Sequence, residues 1–404
     1  MKKSLFLLIM IPLFLLPNPG YCQSLEAVKI QLVFNQIMTN IDSYYVFLDK
    51  KDVDLPCIEQ YYSAQIDRLK SKKDLDLFFE YLLDEFYDSH LHLTFNTSHS
   101  YRTYSPIYVE TKGKKTIIKS VWESQIKSGL KNGMIGAQVL SINGKKFNKA
   151  IMEFPTHCNN KNNDTVRTWI SNKIIAGRHD EPRILKIKTK YGKLETLNID
   201  NIKLKEGSTL LSYHRIGDIG IIRFNNSFGE SKTKSKFTKA LTQLKNTKGL
   251  ILDLRNTVDG GAPDIVNSIA GHFTKNKLPF QFYRIPKIKK AFADSISPQK
   301  PYYYNPVVML VNRWTGSVGE GFAVGMAGTG LAKIVGTEME RLGGATEIFE
   351  LNFNKLGYQM PVAKIFQKDG RPRKSFKPQY AIIPKIGPMD ESMEKAIKLL
   401  DNEN

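Results

Sequence analysis

Apolar positions recur at helical spacing in the first part of the chain, in the series Leu25, Val28, Leu32, Phe34, Ile37 and Ile41. The same spacing predicts a second helix over residues 58–69. A third starts after Ser71-Lys72-Lys73-Asp74, carries Leu75, Leu77, Phe78, Tyr81, Leu82 and Phe86, and ends at Asp88-Ser89-His90. Residues 91–95 then alternate like a strand. From about 105 to 205 the pattern is that of a small β-rich domain. Its landmark is the run from Gly129-Leu130 to Ile142-Asn143-Gly144, where a strand over 138–142 meets an Asn-Gly turn, a hairpin signal. Residues 210–400 alternate: strands at 219–224, 249–255, 307–311 and 332–336, helices at 236–244, 265–273 and 391–400. Continuous apolar strands between helices predict an α/β core covered on both faces. No internal repeat or low-complexity tract interrupts it.

Two runs in that core carry candidate chemistry. The first is Val307-Val308-Met309-Leu310-Val311-Asn312-Arg313-Trp314-Thr315-Gly316-Ser317-Val318-Gly319-Glu320: apolar strand, tight turn, serine, helix start. A serine there stands at a helix N-terminus with the Val318 amide beside it, as acyl transfer requires of a nucleophile and an oxyanion donor. The plainer reading is an N-cap. The second run, Asp253-Leu254-Arg255-Asn256-Thr257-Val258-Asp259-Gly260-Gly261, also follows a buried strand, and paired glycines let a backbone approach a ligand and aim its N–H groups. An ordinary strand-to-helix turn is the alternative.

Composition narrows the class. The chain has 404 residues, 41% apolar and 24% charged, as a folded multidomain protein does. Lys2 and Lys3, the apolar stretch 5–16 and Gly20-Tyr21-Cys22 predict a cleaved export signal over residues 1–22. Tyr21 ahead of Cys22 is a poor lipoprotein signature. Cys57 and Cys158 remain after cleavage, too few for a disulfide scaffold and free to pair or not. His157-Cys158 lacks further ligands at metal spacing. The net charge of +20 comes from scattered lysines without a nucleic-acid-binding motif, so it suits an anionic envelope surface or a solvated face better than nucleic acid.

Taken in order, Asp253-Leu254-Arg255-Asn256 with Gly260-Gly261, then Thr315-Gly316-Ser317-Val318-Gly319-Glu320-Gly321-Phe322-Ala323, then Val335-Gly336, resemble the S41 family of serine peptidases, the tail-specific or C-terminal-processing proteases. The Ile142-Asn143-Gly144 region resembles that family's PDZ domain. Tyr44-Tyr45-Val46-Phe47 and Asp88-Ser89-His90-Leu91 resemble the helical region of its lysine-independent branch. The resemblance implies an α/β (α+β multidomain) chain: signal peptide 1–22, N-terminal helical domain 23–100, PDZ-like domain 101–207, and a ClpP/crotonase-like core 208–404. It implies Ser317 as nucleophile and the amides of Val318 and Gly261 (or Gly260) as the oxyanion hole. It further implies peptide or protein substrates, no cofactor or metal, and a periplasmic or envelope location.

The base is less direct. One branch uses a lysine, but ungapped alignment on Val335-Gly336 and Gly343 places Leu342 there, and a leucine takes no proton. In the other branch the base is a histidine: His90 matches the motif, with Asp88 to tune it and His92 as the backup. Glu320, one helical turn past Ser317, is placed to orient a base or to hold the helix start. The family's C-terminal acid is missing: no acid lies between Arg371 and Tyr380, and Gln379 stands where an aspartate is usual. Those departures motivate a rival expectation, a peptide-binding protein with a weak or inactive site. An esterase-type hydrolase with the same Ser–His pair is a third.

Overall fold

The computed structural model describes residues 25–129, 133–205, 209–351, 353, 356–387 and 389–402. The predicted signal peptide lies outside the described residues, as do positions 130–132 of the Gly129-Leu130 landmark.

Three N-terminal helices, Leu25–Tyr44, Leu55–Ser63 and Lys72–Asp84, stand where the apolar spacing places them, but the second ends at Ser63, six residues short of the predicted 69, and only a 3-10 turn, Ile66–Arg68, follows it. Side chains of Asp54 and Ser71 cap the second and third by accepting from Cys57 N and Asp74 N. Their apolar faces meet around Phe34, Ile37, Ile58, Phe79 and Leu82. The third helix stops at Asp84, short of the prediction. Tyr87 takes φ +37°, which no helix accommodates, so Asp88, Ser89 and His90 sit in a turn. The strand that follows is only His92–Leu93, antiparallel to Gly357–Phe366.

The middle region is an antiparallel sheet in the order Ile107–Lys112, Lys115–Val121, Gln138–Ile142, Ile184–Lys188, Leu194–Asn198. Asn143 and Gly144 turn at φ +46° and +80°, as the hairpin signal requires. The β-rich reading missed the helices Phe147–Met152 and Asp164–Ala176. The second lies along the edge strand. Asn172 bonds both N–H and C=O of Val109, and Thr168 bonds both of Thr111. This edge is therefore closed to an added peptide strand, the binding mode a PDZ-like domain implies.

The core sheet runs Leu211–Ile216, Ile219–Phe224, Gly249–Asp253, Val307–Val311, Lys333–Gly336, Tyr380–Ala381; only the first pair is antiparallel. The strands Gly249–Asp253 and Val307–Val311 are buried throughout. Helices Lys232–Leu244, Pro263–Ala270 and Val318–Gly328 cover one face, and Glu391–Asp401 packs on the other. A second sheet that the pattern did not predict joins Leu278–Ile285, Lys290–Ile296, Gly344–Glu350 and Gly357–Phe366 to His92–Leu93.

Three contacts fix the parts together. Cys57 and Cys158 form a disulfide with Cα atoms 5.8 Å apart, resolving the open question of their pairing. Trp122 of the middle region stacks on Trp314 of the core, centroids 5.5 Å apart and planes within 3°. Their indoles cross-bond, Trp122 to the Arg255 carbonyl at 2.7 Å and Trp314 to the Ser105 carbonyl at 2.9 Å. Among the described residues, no helix is long and apolar enough to cross a membrane.

Candidate active site

Ser317 lies past the carboxyl end of Val307–Val311, at the mouth of a parallel sheet, where open α/β sheets place ligands. The turn before it is strapped down locally. Asn312 N–H donates to Thr315 Oγ1 at 3.1 Å, and Trp314 N–H donates to Asn312 Oδ1 at 2.9 Å. Thr315 and Thr257, on the adjacent strand's loop, both donate their hydroxyls to the Leu254 carbonyl, at 3.0 and 2.9 Å. Gly316 N–H donates to the Thr257 carbonyl at 3.2 Å. The chain then leaves into the helix Val318–Gly328 with Ser317 at φ +46°, ψ −108°. A non-glycine residue held there is strained, and its side chain makes no capping bond, so the N-cap reading leaves the conformation unexplained. A strained serine between a buried strand and a helix is the geometry of a nucleophile elbow.

The two candidate glycines have different jobs. Gly260 N–H is used by the Thr257 carbonyl at 3.3 Å, which removes it as an oxyanion donor. Its missing side chain matters instead: at φ +70°, a Cβ would stand 2.5 Å from Ser317 Cβ. Gly261 takes φ +143° with the Phe228 backbone against its bare face. Neither its N–H nor that of Val318, the first of the helix, enters a backbone hydrogen bond. Those two amides are the available donors.

Glu320 hydrogen-bonds neither a histidine nor the first amides of its own helix. Its carboxylate is buried and accepts from Arg341 N at 2.8 Å and Leu342 N at 2.9 Å, with Arg373 3.9 Å away. It pins the segment containing Leu342 to the Ser317 helix; burial raises its pKa, opposed by Arg373 and the two amides. In the stretch without an acid, buried Arg373 donates through Nε to the Leu342 carbonyl at 3.0 Å, and Gln379 Oε1 accepts from Ile334 N at 2.8 Å.

Asp88 does not hydrogen-bond the imidazole of His90. One oxygen takes the His90 backbone N–H at 2.9 Å; the other takes the Tyr45 hydroxyl at 2.6 Å and faces Lys51 at 3.7 Å. Asp88 thus holds the turn and acts on the ring only through its charge. The His90 ring is buried and its Nδ1 has no hydrogen-bond partner. Burial pushes its pKa down to about 4, against Asp88 and with Arg373 and His92 adding. His92 is committed differently: Nδ1 sits 2.8 Å from the Leu93 carbonyl and Nε2 3.3 Å from Gln359 Nε2. Among the described residues, the Ser317 hydroxyl hydrogen-bonds neither histidine.

One acid escaped the sequence reading. Glu340 donates its N–H to the Thr315 carbonyl at 3.2 Å, and its Oε2, without a hydrogen-bond partner, would stand 2.3 Å from a Cβ on Gly316. Burial pushes its pKa up to about 8, with Arg313 opposing and Glu320 and Asp259 adding. Its position two residues before Leu342 carries no motif, so only the fold reveals it. Glu340, His92, Val258 and Trp314 line a cavity of about 130 Å³ between all three regions. Among the described residues, no group of three or more His, Cys, Asp or Glu is placed to hold a metal ion.

Residues 217–382 match the Peptidase family S41 model, and residues 28–84 match the Tricorn protease C1 domain. No curated protein matches the sequence. Among solved structures, mature CPAF complexed with lactacystin superposes with a TM-score of 0.60 at 13% identity, over 94% of this chain and 98% of that one. The photosystem II D1 C-terminal processing protease gives 0.57 at 15% identity, over 92% and 97%. A putative peptidase from Parabacteroides merdae gives 0.53 at 16% identity, over 92% and 96%. At such identities these likenesses speak to the fold.

Proposed function

We propose, from the premise that this chain is a serine-type peptidase of family S41, that Ser317 is its nucleophile and that it works as an exported peptidase. The observation that carries this is the strained backbone of Ser317 between a buried strand and a helix, beside two unengaged amides. Ser317 Oγ, losing its proton to the base, attacks a peptide carbonyl; the oxyanion rests on the amides of Val318 and Gly261, the C–N bond breaks as the amine leaves with that proton, and water then hydrolyses the acyl-enzyme. His90 is the base. Its low pKa keeps it neutral, and its Nδ1 lone pair is unused. Catalytic hydrogen bonds are often long or unformed without substrate, so contact with Ser317 belongs to the bound state. Export accords with the sequence of residues 1–22 and with the disulfide, which persists in oxidising compartments.

A second reading, a peptide-binding protein with an inactive site, is favoured by Leu342 and by the absence of a hydrogen bond from Ser317 to a histidine. Fluorophosphonate labelling of the mature protein separates the two. Labelling lost in both Ser317→Ala and His90→Ala is expected. Labelling that survives His90→Ala moves the base elsewhere, and an unlabelled wild type that still binds peptides favours the second reading.

A further inference from the structure

The cavity beside the Ser317 turn extends to the third N-terminal helix, where its wall carries two buried acids that the reaction above does not use. Asp84 is 2% exposed and Glu80 8% exposed. Each spends one oxygen on Lys173, at 2.9 Å from Asp84 and 3.3 Å from Glu80. The second oxygen of each, Asp84 Oδ2 and Glu80 Oε2, has no hydrogen-bond partner. Where the same cavity meets the turn before Ser317, at Trp314 and Glu340, Glu340 Oε2 lies against Gly316 and is unpartnered as well.

Buried carboxylate oxygens are almost always satisfied, because leaving one bare costs its full desolvation. Two acids facing one ammonium form an incomplete set: a second cation would complete the pairing. The present arrangement shows the deficit. Burial pushes Asp84 up to about 7, with Lys173 opposing and Glu80 and Glu85 adding. The walls also suit a long cationic chain. The Lys173 ammonium already lies over Tyr101 and Trp169, 5.3 and 5.6 Å from their centroids, so these rings offer their faces to positive charge.

We infer that this cavity is a specificity subsite for a lysine or arginine side chain of the substrate, entering beside Ser317 and ending at Asp84 and Glu80. The inference rests on the peptidase reading for the identity of its ligand. Its test does not need catalysis, because binding is measured in the Ser317→Ala protein.

The probe is p-aminobenzamidine, whose fluorescence reports a buried amidinium. We expect it to bind Ser317→Ala and to be displaced by a blocked tripeptide amide containing arginine or lysine. The norleucine counterpart, matched in length but uncharged, should not displace it. Asp84→Asn and Glu80→Gln, each keeping its shape, should weaken binding by about tenfold or more, as losing one partner of a buried charge pair does. Displacement by agmatine but by neither basic peptide would assign the site to a free amine and overturn the subsite. Binding unchanged in both variants, or no binding to a protein whose circular dichroism is native, would also overturn it.

Discussion

His90 shows how one buried side chain sets a measurable boundary. Its ring feels the charges of Asp88, Arg373 and His92 and donates to the Gly344 carbonyl, and burial dominates, placing its pKa near 4 rather than at the ordinary 6.5. A base must be unprotonated, so it stays competent as pH falls below neutrality and is lost only as pH approaches about 4. Fluorophosphonate labelling in His92→Ala should therefore hold down to about pH 5. A limb at 6.5 or above would exclude His90. The sign for stability is the same: the unfolded imidazole takes its proton near 6.5 and the folded one near 4, so stability is lost as pH falls through that window. Melting curves run alongside separate the two losses. Ser317 and Gly260-Gly261 were legible as candidates because each stands in the turn that follows a continuous apolar strand. Glu340 and the Asp84–Glu80 pair were not: Glu80 and Asp84 stand one helical turn apart like any solvated acidic pair, and only the fold buries them against Lys173 and brings Glu340 to the same cavity.

Among the elements, the link between Trp122 and Trp314 stands out, since Trp314 belongs to the turn that holds Ser317. The stacked rings are both nearly buried, and each indole N–H bonds a carbonyl of the other region. Trp122→Ala should cost about 3–5 kcal/mol. The stack itself should appear as a coupling of about 0.5–1.5 kcal/mol in a cycle with Trp314→Ala, read from urea denaturation. Additive losses would mean the rings touch without mutual stabilisation. At this scale the pattern was uneven in what it revealed. The buried parallel strands read as unbroken apolar runs, and their helices as amphipathic ones. The second sheet did not: Lys290–Ile296 is exposed along most of its length, and Gly357–Phe366 carries Pro361 and a register shift against Gly344–Glu350. The helix Asp164–Ala176 was hidden for another reason. It buries Arg167 and Ser171 along with Val166 and Ile170, so its inner face is not marked by hydrophobicity alone.

The cavity beside the Ser317 turn lies at the junction of three regions, so site geometry depends on how firmly they are joined. The disulfide spans a sequence separation of 101 residues and ties the helix Leu55–Ser63 to the middle region. Beside it, the Glu85 carboxylate accepts the backbone N–H groups of Cys158 and Asn159, at 3.1 and 3.0 Å, and the Tyr62 hydroxyl at 3.0 Å. Two restraints of different chemistry thus hold one interface. Closing a loop of that length restricts the unfolded chain by about 4–5 kcal/mol in the chain-entropy model, and measured values are more often about 2–4. Replacing both cysteines by serine should therefore lower stability to urea by about 2–4 kcal/mol while the Glu85 clamp keeps the regions docked. The double variant should still bind p-aminobenzamidine, with Kd raised only a few-fold, because Asp84 and Glu80 stand on the adjacent helix rather than on the tethered one. Abolished binding in a protein with native circular dichroism would show that the disulfide, and not the carboxylate clamp, sets the shape of the cavity. Unchanged stability would show that the interface is already held by Glu85 and packing alone.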